Sequence, residues 1–423
     1  MVKYRIIGNM TGNSMDAIDL VLTEFNDDQM SDICTFTKAY SKDMQDKIDK
    51  LRRQVFNKTK SEILSLADFK LIHDEYINQI ACSINEMLSI NNIDKSSVDA
   101  IGFHGKTLDH NPPSKVRGDT ASCYTLQIGS GQMLANLTQI PVVYDFRSAY
   151  ILNGFDGAPL VGPHNARISI TEGNGCYYNG GNTSNFAIIN DHRTIISADS
   201  GPFNEYTDAI MRRFTSLPFD QNAEYGKKGK LNKELMQELY NIGRDFYNTA
   251  LPRSGDPSYY HQDKVFELVA HQNIKLEDAV HTFEYFAAYI AAQALTMLPE
   301  NISLPNKFIL FGGGWKNPLV LSSFEDILCG NSYVLPEHQK KFAKLRQSFS
   351  TRPEVYLSDF GAYMEARLFA DMARYKLQNK VWEISEVIDA NKNIVSGNIA
   401  LPNNQTDKFT DMISQAAKGW QDA

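Results

Sequence analysis

"GNMTGNSMDAIDL" (Gly8–Leu20) decides how the rest of the chain is read. It stands between "YRII" and "LVLTEF", two runs of branched and aromatic residues of the kind that form strands. The insert is therefore a strand-to-strand turn. A hairpin closes with about two turn residues, so this turn is richer than geometry requires. Its glycines permit backbone angles closed to other residues and let a ligand approach the main chain. Thr11, Asn13 and Ser14 add hydroxyl and amide groups. Asp16 and Asp19 add carboxylates. Two readings stand: a long polar hairpin, or a phosphate cradle in which backbone N–H groups hold oxygens and a carboxylate holds the metal.

Working outward, the first half offers the strands "YRII", "AIDLVLTEF" and "ICTFTKAY", then helical pattern from Lys42 to Ile90. A buried strand, "VDAIGFHG", follows and ends in a loop. A short helix, "GQMLANLTQ", leads to the strand "IPVVYDF". The second half repeats the order, with "GCYYNGGNTSNFAIIN" as strand, glycine turn and strand, then "TIISAD", helices, and the buried strand "KFILFGGG". The helices "LVLSSFEDIL" and "GAYMEARLFADMARYKL" close it. This is a repeat of plan, not of sequence. It predicts two α/β lobes, residues 1–165 and 166–375, with 376–423 packing back on the first. The glycine turns would converge on the cleft between the lobes, where ligand sites tend to lie.

The totals agree with two domains: 423 residues exceed what one core normally serves. The net charge of −8, with Lys and Arg spread along the chain, argues against a nucleic-acid or acidic-membrane partner. No apolar stretch approaches the roughly 20 residues that span a bilayer. The amino terminus runs straight into a strand, with no apolar signal region. Five cysteines are scattered without a C-x-x-C pair, which fits reduced thiols in a cytoplasm.

Five polar or glycine-rich turns follow strands: "GNMTGNSMD", "GFHGKTLDH", "NGGNTSN", "ADSGPFN" and "FGGGWKN". Each alone is ordinary turn chemistry. Five in matching places of two repeats point to a nucleotide or phosphate site. The lysine-bearing P-loop pattern is absent, as is G-x-G-x-x-G. Gly312, Gly313 and Gly314 in a row would let a flat group such as adenine lie on bare backbone. Asp199 is the candidate base, or else caps the helix expected from Phe203. Glu365, on the last long helix, is either beside the substrate or a solvated helix glutamate. His104 and His110 are close enough to share a metal, though His104 as a hydrogen-bonding residue on the cleft floor is the simpler reading. Arg147 could hold an acidic substrate group bidentately, or pair structurally with Asp145 or Asp156.

The motifs "GNMTGNSMDAID", "GFHGKT", "TLQIGSGQMLANLTQIPVVYDFR", "DGAPL", "NGGNTSN", "DSGPFN", "FGGGWKNP" and "EARLFA" occur in the order found in the anhydro-N-acetylmuramic acid kinases, which this chain resembles over nearly its whole length. The resemblance implies the duplicated ribonuclease-H-like fold of the sugar-kinase, heat-shock-ATPase and actin superfamily: a two-lobed α/β, actin-like ATPase architecture with the active site in the interlobe cleft. It implies ATP and Mg²⁺ as cofactors, and phosphorylation of the 6-oxygen of 1,6-anhydro-N-acetylmuramic acid with addition of water across the bridge, giving N-acetylmuramic acid 6-phosphate.

By the same resemblance Gly12, Asn13, Ser14, Met15, Asp16, Ala17, Ile18 and Asp19 hold the ATP phosphates, with Asp16 on the metal. Gly180, Gly181, Gly312 and Gly313 contact the nucleotide. Asp199 activates water, Glu365 lies beside the sugar, and His104, Arg147 and Asp156 bind substrate. The implied partners are the anhydrosugar and ATP, with a homodimer as the candidate assembly. Some positions depart from the family: Thr11-Gly12-Asn13-Ser14 stands for serine-glycine-threonine-serine, Ala17 for a glycine, and Phe203 for a small residue beside the proposed base. Those departures keep two rivals open: a kinase of another anhydrosugar or amino sugar, and an ATP-binding regulator without turnover.

Overall fold

The computed structural model describes residues 3–12, 15–27, 29–55, 58–113, 123–255, 262–361, 363–384, 394–403 and 413–417. The chain divides into two compact units. The first is residues 1–158, 363–383 and 389–423; the second is 159–362 and 384–388.

In the first unit β1 (Lys3–Thr11), β2 (Ala17–Asn26) and β3 (Gln29–Ala39) form an antiparallel meander. The chain then rises through the helices Lys42–Val55 and Phe69–Ile90 to β4 (Ala100–Phe103), which lies parallel to β1. β5 (Lys106–Asn111) and β6 (Tyr124–Ile128) pair with each other in a separate small sheet. The helix Gly131–Thr138 follows, opened by the Ser130 hydroxyl accepting from Met133 N–H at 3.0 Å. β7 (Val142–Tyr144) then docks parallel to β4.

The second unit repeats the scheme. β8 (Gly175–Gly180), β9 (Thr183–Asn190) and β10 (Arg193–Pro202) form the meander. After a helical stretch, β11 (Lys307–Phe311) lies parallel to β8, and β12 (Glu354–Leu357) parallel to β11. β13 (Asn398–Ala400) extends the first sheet beyond β7, and β14 (Ile413–Ala417) joins β6.

Among the described residues the sheet orders are β13-β7-β4-β1-β2-β3 and β10-β9-β8-β11-β12. Numbered within each unit, both read 3-2-1-4-5 with the second strand antiparallel. That is the ribonuclease-H-like order, and two copies in one chain make the actin-like ATPase fold that the sequence predicts.

Both sheets are covered on their two faces, which is why "AIGF" and "FILF" are apolar without alternation. In the first unit Ile7, Leu20, Leu22, Ile101 and Val142 pack into one core with the helices Lys42–Val55 and Phe69–Ile90. The opposite face takes the helix Met364–Leu377 at very short range. Gly8 and Gly102 stand opposite each other in register on β1 and β4. A Cβ on Gly8 would overlap the Ala366 carbonyl, and one on Gly102 the Phe369 carbonyl. In the second unit the helix Leu276–Leu295 is buried along nearly its whole length in a core shared with Tyr178, Phe186 and Trp315.

Four elements differ from the sequence reading. "KTLDHN", expected in a loop, is β5, because "TLQI" supplies its antiparallel partner. "ADSGP", expected as a turn, lies within β10, since Asn185, Ser184 and Thr183 pair with it as far as Pro202. "EVYL" is a strand, its pairing decided by β11. The helix Met364–Leu377, read with the second lobe, belongs to the first unit by its contact with β1 and β4.

The glycine contact generates a prediction. Gly8→Ala and Gly102→Ala each force the helix off the sheet and cost about 3 kcal/mol, the upper range for overpacking. Gly313→Ala, whose Cβ would meet nothing within 4 Å, leaves stability nearly unchanged. Chemical denaturation of the three variants measures the difference.

Candidate active site

The opening stretch becomes the β1–β2 connection. Asn13 and Ser14 lie outside the described residues. The Gly12 carbonyl accepts from Met15 N–H at 3.2 Å, which closes a turn, and Met15 takes a left-handed φ of 56°. Gln45 Nε2 donates to the Met15 carbonyl at 3.1 Å, and Tyr40 N–H to the Asp16 carbonyl at 3.1 Å. Asp16 is exposed. Ala17, Ile18 and Asp19 already belong to β2. Asp19 accepts from Thr37 Oγ1 at 2.8 Å. Burial raises its pKa, and the Asp16 carboxylate adds to the rise. The exposed Asp16 is the carboxylate on the connection itself, and its hard oxygens are of the kind magnesium takes, completing its shell with phosphate and water.

His104, Arg147 and Gly157 come together within the first unit. Arg147 Nε donates to His104 Nε2 at 3.0 Å, and its Nη1 donates to the Gly157 carbonyl at 2.6 Å, one residue from the half-buried Asp156. The first bond makes His104 Nε2 the unprotonated nitrogen, so Nδ1–H donates to the Gly105 carbonyl at 3.0 Å. Burial, with Arg147 next, holds the His104 pKa well below its usual value. A neutral imidazole with both nitrogens engaged is a hydrogen-bonding residue, and the shared-metal reading with His110 falls. Asp145 bonds to Ser148 and Asn398 rather than to Arg147.

The second unit holds the rest of the nucleotide-type turns. β8 and β9 are joined by Gly181-Asn182 alone. Phe203 N–H donates to the Asn182 carbonyl at 2.7 Å and Asn204 N–H to the Gly181 carbonyl at 3.1 Å. Gly312, with φ of 98°, sits where a Cβ would overlap the Gly180 carbonyl and Asn179 Oδ1. The two glycine turns are thus packed backbone to backbone, and only glycine permits it. "WKNP" ends the motif by starting a helix: Asn317 Oδ1 accepts from Leu319 and Val320 N–H, and Pro318 occupies the first helical position.

Phe203 does not crowd Asp199 as the sequence suggested. Its ring packs 4.5 Å from that of Trp315, in space left by Gly180 and Gly314. Aromatic bulk has been taken into the core.

Asp199 lies inside β10, and the helix Glu205–Phe214 begins after Asn204 with no side-chain cap. The cap reading is therefore excluded by position. The Asp199 carboxylate accepts from Gly255 N–H at 2.6 Å and faces Ser254 Oγ at 3.4 Å. Its backbone N–H donates to the Arg253 carbonyl at 2.9 Å. Arg253, 1% exposed, donates to the carbonyls of Asp199, Ser200, Phe246, Tyr247 and Thr249. This support was missed in the sequence. Its signal was the Pro252 and Gly255 interruption of a helical run, with an arginine between them. Glu365 is exposed in the first turn of its helix, in the first unit, whereas Asp199 is in the second.

The duplicated fold with its glycine turns places the chain in the actin-like ATPase class. The profile of the family "Anhydro-N-acetylmuramic acid kinase" matches residues 4–345. The chain belongs to that family, whose members are ATP-binding kinases of amino-sugar and peptidoglycan recycling.

The anhydro-N-acetylmuramic acid kinase of Haemophilus influenzae is 29% identical over 334 residues, 76% of this chain and 83% of that protein. That of Vibrio vulnificus strain CMCP6 is 26% identical over 392 residues, covering 92% and 96%. Among solved structures, a ROK family glucokinase from Streptomyces griseus in complex with glucose and AMPPNP is 13% identical, with a TM-score of 0.37 and coverage of 88% and 99%. The fold stands on strand order. Among the described residues no helix is long and apolar enough to cross a membrane.

Asn317 also donates to the buried Glu284 carboxyl at 2.5 Å. Burial first, then the nearby Asp220 carboxylate, raises the Glu284 pKa from 4.5 to about 9. The folded chain keeps a proton that the unfolded chain releases above 4.5, so this group's contribution is whole below that pH and is lost as pH rises toward 9. Glu284→Gln keeps the shape and removes the titration. Its melting temperature should exceed that of the parent by about 2 °C or more at pH 8, with the gap closing toward pH 5. Thermal scans across that range test it.

Proposed function

We propose that this chain is an ATP-dependent kinase of 1,6-anhydro-N-acetylmuramic acid that opens the anhydro bridge and phosphorylates the 6-oxygen, giving N-acetylmuramic acid 6-phosphate. The observation that carries the reading is Asp199: a mostly buried strand aspartate with no helix to cap, its carboxylate accepting from Gly255 N–H and its main chain held by Arg253. Family membership supplies the substrate class.

In this reading Asp199 takes a proton from water as the water oxygen bonds to the anomeric carbon. The bond from that carbon to the bridge oxygen breaks, and the bridge oxygen receives the phosphoryl group. ATP supplies that group, and Mg²⁺, for which Asp16 is the proposed ligand, neutralises phosphate charge. Gly12 and Met15 to Asp19 would hold the phosphates, as would Asn13 and Ser14. Gly180, Gly181, Gly312 and Gly313 offer backbone to the nucleotide. Gly313 fits a flat group best, since it faces open space on its Cβ side, whereas Gly180 is packed against Gly312, Phe203 and Trp315. Arg147, oriented by His104 and Gly157, would meet the acidic lactyl group, with Asp156 beside it. Glu365 is proposed beside the sugar. The seated carboxylate and the supported glycine turns favour turnover over a silent regulator.

Asp199→Asn should lower kcat by on the order of 10² to 10⁴ while leaving ATP affinity within a few-fold, since an amide cannot accept the water proton. Turnover near the parent rate would sink the assignment.

A brief reaction in heavy-oxygen water should label the anomeric hydroxyl and leave the phosphoryl group unlabelled, read by mass spectrometry before anomeric exchange. Efficient phosphorylation of free N-acetylmuramic acid, with no solvent oxygen in the product, would instead mark a conventional hexose-type kinase.

A further inference from the structure

One buried acid has no part in the chemistry above. Glu284 is 1% exposed, on the helix Leu276–Leu295, and it faces two other segments of the second unit. Its Oε1 accepts from Asn317 Nδ2. Its Oε2 meets no N–H donor among the described residues, and it lies where a Cβ on Gly226 would overlap it. The neighbour on that side is the buried Asp220 carboxylate, which accepts from Tyr225 N–H at 3.0 Å and from Gly226 N–H at 2.8 Å. Two carboxyl groups meet favourably only through a proton. Asp220 already has two donors, so the proton sits on Glu284 Oε2 and is given to Asp220.

This shared proton joins the loop 220–226 to the last glycine motif. Asn317 ends "FGGGWKN": its N–H donates to the Gly314 carbonyl at 3.1 Å, and its Oδ1 caps the helix Pro318–Cys329. With the amide oxygen on the cap, Nδ2 is directed to Glu284, so the acid fixes the residue that closes the turn. Asp208, on the helix Glu205–Phe214, adds to the field that keeps the proton in place. His281, one turn earlier on the helix of Glu284, donates Nδ1–H to the Gly226 carbonyl at 2.8 Å. Lys227 and Lys228 of the loop and Lys316 of the turn are exposed. Burial, chiefly, holds the proton until about pH 9; above that, two facing carboxylates repel.

We infer that Glu284 and Asp220 are positioning residues of the Gly312–Asn317 turn: one shared proton ties the loop 220–226, the helix Leu276–Leu295 and Asn317 together, and its loss weakens the turn's hold on a nucleotide. The inference rests on that turn contacting the nucleotide, as proposed above.

Calorimetry with ATP alone and with the anhydrosugar alone, on the full-length chain, tests it from about pH 7 to about pH 9.5. If only the protonated pair holds the turn, the parent's ATP affinity should fall roughly fourfold by the upper limit. Glu284→Gln and Asp220→Asn each replace the shared proton with an amide N–H. Both should bind ATP as the parent does near neutral pH and escape the alkaline loss. Rescue from either side of the pair follows the proton, which a merely structural role would not require. Sugar affinity should stay within about twofold between parent and variants at each pH. Variants whose ATP profiles run parallel to the parent's overturn the inference and leave the nucleotide turn standing. A matching loss of sugar affinity in the parent marks general unfolding and overturns the inference as well. Gly313→Val tests the turn itself, because its Cβ would enter open space. ATP affinity unchanged by that substitution overturns the nucleotide turn, and the inference with it.

Discussion

Two glycines on neighbouring strands let a helix lie directly on a sheet, and much of the first unit depends on that approach. Gly8 and Gly102 are paired in register, and their missing side chains are replaced by the carbonyls of Ala366 and Phe369. Helices and sheets normally pack through side chains, at a separation those side chains set. Here the separation is set by backbone. The consequence is positional: Gly8 begins the motif that ends at Asp19, and Gly102 begins the one that carries His104 and Lys106. The contact that closes the unit therefore also fixes the strand ends from which the candidate site emerges.

The same device recurs in the second unit, at the turns rather than the sheet. Gly312 lies against Gly180, and Gly314 against Asn204 and Phe203. At Phe203, read from the sequence as a departure crowding Asp199, the ring turns to Trp315 and the glycines make room. The departure is absorbed by packing, which leaves the aspartate's partners, Gly255 and Arg253, as the determinants of its position. A buried guanidinium bonded to five carbonyls is rigid support, since each lost bond would strand an acceptor.

The polar machinery is held mostly by residues distant in sequence. Lys106 anchors a turn 94 residues earlier, and Arg253 a strand residue 54 earlier. Arg147 reaches back 43 residues to His104. In each case a buried or half-buried donor meets a backbone carbonyl or a neutral ring nitrogen, so the bond orients without neutralising charge on the candidate catalytic carboxylates.

The order of elements along the chain was legible because it is written in local signals: apolar runs without alternation, broken by glycine, repeated once. The family was legible because its motifs are contiguous. Asp199 and the opening turn were legible as candidates for the same reason, since each stands where a strand signal stops. The strands β5 and β12 were not, because "KTLDHN" and "EVYL" have weak patterns of their own and become strands only through partners. The helix Met364–Leu377 could not be assigned to a unit by its own apolar stripe, which would suit either sheet; the absent side chains of Gly8 and Gly102 decided it. Nor could sequence say that Lys106 reaches the Gly12 carbonyl, or that Arg253 and Gly255 support Asp199. A sequence fixes which groups a chain has and which elements they favour, because those depend on near neighbours. Which buried donor meets which acceptor depends on how distant segments pack, and only the tertiary structure decides that.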